Sequence, residues 1–308
     1  MARVRADLGE CMRAARTGIA FAAAFTLALV AQADRQPGSL GADASAANLY
    51  QVTCSDDGSG PPASLVVAVQ DTAPASAPLV SMQIQKGSAA RNATDAVDGD
   101  AAFSPQVFVD GGAGVYDVFV DKSDAGDEGF VLSFQCTTGA GGTGSPTGTS
   151  IFPSVEEVPL LPLAGWLALA ALLAALAPVR GASAHSLNET LDADAGATDL
   201  IQIVCSDNGS GPPQSLVVQA RDNTPVAAPL VSVQAQRGAL LVNSTDPVDG
   251  DTTSSPAVAV NGGSGAYDVL VDKTDAGAES YTMTFHCFTG PDGTGFHTGT
   301  SLTILQDQ

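Results

Sequence analysis

Tyr116-Asp-Val-Phe-Val-Asp-Lys-Ser-Asp-Ala-Gly126 (YDVFVDKSDAG) recurs as Tyr267-Asp-Val-Leu-Val-Asp-Lys-Thr-Asp-Ala-Gly277 (YDVLVDKTDAG). Within the first copy, Tyr116, Val118 and Val120 alternate with Val115, Asp117, Phe119 and Asp121. That period of two is the signature of a half-buried β-strand. The match spreads outward from this strand. Cys54-Ser-Asp-Asp-Gly-Ser-Gly-Pro-Pro answers Cys205-Ser-Asp-Asn-Gly-Ser-Gly-Pro-Pro, Cys136 answers Cys287, and Thr147-Gly-Thr-Ser answers Thr298-Gly-Thr-Ser. About 57 of roughly 97 aligned positions are identical at one constant offset without a gap, so both copies share one fold.

Short apolar runs separated by turn residues predict strands near 49–54, 64–71, 79–86, 103–109, 115–122, 129–138 and 148–152. The second copy predicts them near 200–205, 215–222, 230–237, 256–261, 266–273, 280–288 and 299–305. Gly-Ser-Gly-Pro-Pro, Asp-Gly-Asp and Gly-Gly-x-Gly supply the turns. No helical periodicity occurs outside two apolar segments. The expected fold is all-β: two homologous immunoglobulin-like β-sandwich domains separated by one transmembrane helix, behind an N-terminal signal helix. The single Trp, Trp166, lies in the central apolar segment and not in a sandwich core.

The first apolar segment reads as an export signal. Arg3, Arg5, Arg13 and Arg16 precede Thr17–Val30, and Ala31-Gln32-Ala33 forms an A-x-A cleavage triplet. The second, Val158–Val179, holds no charge and is long enough as a helix to cross a bilayer core of about 30 Å. Arg180 follows it, and Ala182-Ser183-Ala184 is a further A-x-A triplet. The organisation is therefore 1–33 signal peptide, 34–48 linker, 49–153 first repeat, 154–180 sorting motif and span, 181–199 linker, 200–308 second repeat. One fixed span would leave the twins on opposite sides of a membrane.

Twelve Lys and Arg against 33 Asp and Glu give a net charge of −21. Nucleic acid needs clustered cations, so it is excluded as a partner, and a solvated extracytoplasmic surface fits instead. Cys11 lies in the signal, which leaves Cys54, Cys136, Cys205 and Cys287. Three connectivities are open; the repeat favours Cys54–Cys136 and Cys205–Cys287, since each copy must solve its fold alone, with buried free thiols as the alternative.

The acidic loops hold the candidate metal ligands: Asp98, Asp100, Asp121 and Asp124, repeated as Asp249, Asp251, Asp272 and Asp275. Carboxylates on loops suit Ca²⁺, the one ion to weigh where no cofactor is otherwise expected. Turn chemistry and a solvated acidic surface are the competing account. His185, His286 and His297 have no counterparts in the first repeat, and no nucleophile motif occurs, so no enzymatic activity is expected. Asn92, Asn188 and Asn243 head N-x-T triplets, which read as chance in a chain with a bacterial type of signal.

The central segment resembles the sorting signals of exosortase substrates, which join a Pro-containing motif, a nearby Trp, an apolar span and a basic end. Val158-Pro159-Leu160-Leu161-Pro162, Trp166 and Arg180 fill those places. With a copy of one domain on either side, the layout is similar to the midcut proteins associated with exosortase H. The resemblance implies a non-enzymatic, exported substrate of an exosortase-type transpeptidase, cut at the central motif so that the two repeats separate. Signal peptidase and the membrane would be the other partners. The product would pass from an inner-membrane precursor to the cell surface or the medium, its surface ligand unspecified. The alternative is an uncleaved, membrane-anchored adhesive or ligand-binding module.

Overall fold

The computed structural model describes residues 33–75, 78–155, 185–226 and 229–308. The central motif with its apolar segment, and the signal segment up to residue 32, lie outside these residues. The described residues all belong to one compact unit. No helix among the described residues is long and apolar enough to cross a membrane.

Among the described residues each repeat contributes nine strands. The first repeat has β1 (Asp34–Leu40), β2 (Asn48–Ser55), β3 (Ser64–Thr72), β4 (Val80–Lys86), β5 (Ala89–Thr94), β6 (Val107–Asp110), β7 (Gly114–Lys122), β8 (Glu128–Thr137) and β9 (Gly148–Val155). The second has β10 (His185–Leu191), β11 (Asp199–Ser206), β12 (Ser215–Asp222), β13 (Val231–Arg237), β14 (Leu240–Thr245), β15 (Val258–Val260), β16 (Gly265–Lys273), β17 (Glu279–Phe288) and β18 (Gly299–Gln306). Two antiparallel sheets form per repeat, ordered β1-β8-β3-β6 and β5-β4-β7-β2-β9, and the second repeat copies both orders.

The sheets of a repeat face each other across an apolar core. In β7, Tyr116, Val118 and Val120 point into it, as the alternation requires. Leu65, Val67 and Val69 of β3 and Phe130, Leu132 and Phe134 of β8 meet them from the other sheet. Cys54 of β2 bonds to Cys136 of β8, and Cys205 to Cys287, so each disulfide ties one sheet to the other. Closing a loop of this length stabilises by roughly 4–5 kcal/mol in the chain-entropy account.

Two stretches expected to be linkers, 34–48 and 181–199, contain strands. β1 and β10 pair along their lengths with β8 and β17 at the rim of the smaller sheets. An edge strand needs an apolar contact on one face only and tolerates Pro, so Asp-Arg-Gln-Pro-Gly-Ser-Leu can serve. Gly38 lies opposite Phe130, whose ring would sit 2.3 Å from a Cβ placed there.

β4 shows what the larger sheet does. Val80, Met82 and Ile84 face the core, yet the polar residues between them, Ser81, Gln83 and Gln85, are buried as well. Their face is covered by the other repeat.

Candidate functional site

The two larger sheets pack against one another through their outer faces. Leu49, Ala90 and Phe119 of the first repeat form one apolar cluster with Leu200 and Leu270 of the second. Burying a large apolar side chain of this kind is worth roughly 2 kcal/mol. β5 lies against β11, β16 and β18, and β14 lies against β7.

Polar groups set the register of this face. The Asn92 side-chain amide donates to the Lys273 carbonyl at 2.7 Å, and Asn243 donates to the Lys122 carbonyl at 2.8 Å. The two residues are equivalent in the repeats, so the contact has the reciprocity of a two-fold dimer made within one chain. Both head the N-x-T triplets noted above; buried and spent in this way, neither amide is open to a glycan. Gln306 adds a contact without a twin. It accepts from the Ala90 amide at 3.0 Å and donates to the Ala90 carbonyl at 2.9 Å, pairing with the exposed edge of β5 as a strand would.

At the centre of the face stand Asp121 and Asp272. Gln83 donates to Asp272 at 2.7 Å and Gln234 donates to it at 3.3 Å. Burial pushes both carboxyls up, Asp272 to about 7, and the charge of Asp272 pushes Asp121 further. Among the described residues, Asp121 Oδ2 and the amide oxygens of Gln83 and Gln234 have no hydrogen-bond partner. A proton retained by the pair relieves the repulsion between the two carboxylates and adds a donor to those of Gln83 and Gln234.

Elsewhere, three carboxylates converge in each repeat: Asp71, Asp98 and Glu128, and again Asp222, Asp249 and Glu279, each set offering oxygens within 4.8 Å of one another. Asp71 ends β3 and Glu128 opens β8, both on the inward side of their strands. Asp98 comes from the loop after β5. Gly99 bends that loop at φ +71°, and a Cβ there would stand 2.7 Å from the Ala75 Cβ, so the loop closes onto the end of β3. Asp71 spends one oxygen on the Val80 amide at 3.1 Å, and Asp222 does the same with Val231. Among the described residues, Asp71 Oδ1 and both oxygens of Glu128 have no hydrogen-bond partner, nor do Asp222 Oδ1 and both oxygens of Glu279. Burial, opposed by the Val80 amide and reinforced by neighbouring carboxylates, raises Asp71 to about 7; burial with Glu279 and Asp249 does the same to Asp222.

Of the metal ligands expected from sequence, only Asp98 and Asp249 belong to these clusters. Asp100 and Asp251 cap their own turns by accepting from the Ala102 and Thr253 amides, and Asp124 and Asp275 accept from Ala125 and Ala276. Asp121 and Asp272 lie on the face between repeats. Asp71 and Glu128 escaped the sequence reading, although their positions were marked. Leu65, Val67, Val69 and Asp71 share one parity of β3, and Glu128, Phe130, Leu132 and Phe134 share one parity of β8. A carboxylate on the apolar parity of a strand is a signal in itself.

His185, His286 and His297 gather on the outside of the second repeat, with ring centroids 5.7 Å apart for His185–His286 and 4.4 Å for His286–His297. Burial, then the charges of the other two, lowers His286 to about 4. Among the described residues the triplet does not bring three nitrogens to a common point as the carboxylates do their oxygens.

No protein-family model, curated protein or solved structure matches this chain.

Proposed function

We propose that the chain is an exported, non-catalytic surface or secreted protein, that an exosortase-type peptidase cuts it in its central segment, and that the two immunoglobulin-like repeats remain one body afterwards. The observation that carries this reading is the packing of repeat on repeat. A single permanent pass between them would hold the repeats on opposite sides of a bilayer core of about 30 Å, where Asn92 and Asn243 could not reach their partners. The packed form needs both repeats on one side. Two disulfides, one in each repeat, fit an oxidising compartment for both.

The starts of the repeats support processing too. β1 begins at Asp34, directly after Ala31-Gln32-Ala33, where an A-x-A cut behind an apolar segment would leave a new terminus. In the sequence, Ala182-Ser183-Ala184 offers the same kind of cut ahead of the second repeat. Val158–Pro162, Trp166 and Arg180 are then a signal consumed in sorting. The membrane, signal peptidase and the sorting transpeptidase are its partners in transit. In the resemblance the repeats part after the cut; in this reading the cut frees the chain and not the domains.

The test places one epitope tag in the exposed Gly58–Ser59 turn and another at the C-terminus, followed by immunoblots of fractionated cells with and without external protease. Two half-size fragments, both accessible from outside, are expected. A full-length band with the C-terminal tag protected would make the segment a plain anchor and sink the proposal.

A further inference from the structure

We infer that each repeat carries a Ca²⁺ site: Asp71, Asp98 and Glu128 in the first, Asp222, Asp249 and Glu279 in the second. The inference stands apart from how the chain is processed. Oxygens around one Ca²⁺ lie at most about 5 Å apart, twice a Ca–O distance of about 2.5 Å, and the three carboxylates of each set meet within 4.8 Å.

An acidic cluster alone is common. This one has a second mark. Glu128 and Glu279 are each 1% exposed, and all four of their oxygens lack a hydrogen-bond partner among the described residues. Buried carboxylates are ordinarily bonded, paired or bound to metal. The nearest cation does not meet the need in the second repeat. The Lys273 ammonium donates to the carbonyls of Asp192 at 2.5 Å, of Asp194 at 2.7 Å and of Gly277. A lone ammonium would in any case offset one of three negative charges.

The donor set is oxygen only, which selects a hard cation, and Ca²⁺ completes its six to eight ligands with carbonyls and water. Access exists in the first repeat, where an open groove of about 340 Å³ borders Glu128 between Gly41, Pro74 and Gly129. Each ion would join the end of one strand, the start of its neighbour in the same sheet and the loop that crosses over from the other sheet.

Calorimetric titration of the chelator-treated full chain with CaCl₂, beside thermal melts, tests the inference. Two equivalents are expected to bind, with a dissociation constant on the order of 10⁻⁴ M as in extracellular modules, and to raise the melting temperature. Glu128→Gln and Glu279→Gln should each remove one equivalent. Each should also raise the melting temperature of the metal-free protein, since an uncompensated buried charge is gone. Asp100→Asn with Asp124→Asn should leave the stoichiometry at two. Absence of both heat and melting shift at millimolar Ca²⁺ in the unsubstituted protein overturns the inference without recourse to any variant. So does full binding in the Glu128→Gln/Glu279→Gln protein.

Discussion

Asp121 and Asp272 occupy the same place in two copies of one strand, and the pairing of the repeats forces them together. Either carboxylate alone on a solvated sheet would titrate in the ordinary range; buried against each other, both are pushed up, Asp272 to about 7. The sign follows from linkage. A carboxyl whose folded pKa is raised binds more protons in the packed form than in the separated one. Its contribution is complete below the usual value near 4 and is lost as pH rises towards about 7. Packing of the repeats is therefore expected to weaken between pH 4 and 8, by on the order of a few kcal/mol at about 1.4 kcal/mol per pKa unit. Asp121→Asn with Asp272→Asn should flatten that slope and stabilise the protein at pH 8. Urea unfolding of both proteins across this range measures it, and equal slopes would refute the assignment. Gln83 and Gln234, the donors that face the pair, are neutral and add no titration of their own.

At the scale of elements, β7 does two tasks with its two faces. Tyr116, Val118 and Val120 make the core of their own sandwich, while Phe119 and Asp121 meet the other repeat. Phe119→Glu should cost at least the roughly 3 kcal/mol of truncating a buried Phe, all of it between repeats. The variant is expected to keep its strand signal in circular dichroism and both disulfides, yet to expand in small-angle scattering. An unchanged scattering profile would contradict that division of labour. The strands of the first core were legible because their alternation is local: the expected segments near 64–71, 115–122 and 129–138 overlie β3, β7 and β8. β5 was not seen, since Ala-Ala-Arg-Asn-Ala-Thr lacks apolar bulk. Two cues exist: Gly87-Ser88, a two-residue loop with Gly87 at φ +62°, closes β4 onto it, and its counterpart β14, Leu-Leu-Val-Asn-Ser-Thr, has the apolar bulk that β5 lacks. β1 and β10 were read as linkers because Pro, Gly and polar residues suffice at an edge. The buried polar row of β4 was beyond any single-strand reading. Ser81, Gln83 and Gln85 look solvated until a second repeat covers them, and the same covering moved Asp121 from candidate metal ligand to interface.

At the scale of the molecule, each repeat is the other's partner. The two repeats meet as two copies of one chain would meet, with reciprocal contacts from Asn92 and Asn243 and an apolar patch from both sides. The disulfides lie within repeats, so nothing covalent joins them except the segment from 156 to 184. Cutting that segment should therefore change the covalent structure and leave the assembly. The most direct measurement inserts a site-specific protease sequence after Gly181 in the full-length chain produced without the sorting peptidase, cleaves it, and compares mass under denaturing and native conditions. Two half-size chains under denaturing conditions, and one species with the mass of both at low micromolar concentration and pH 5, are the predicted result. Two independent halves under native conditions would contradict the packing of repeat on repeat from which the account proceeds.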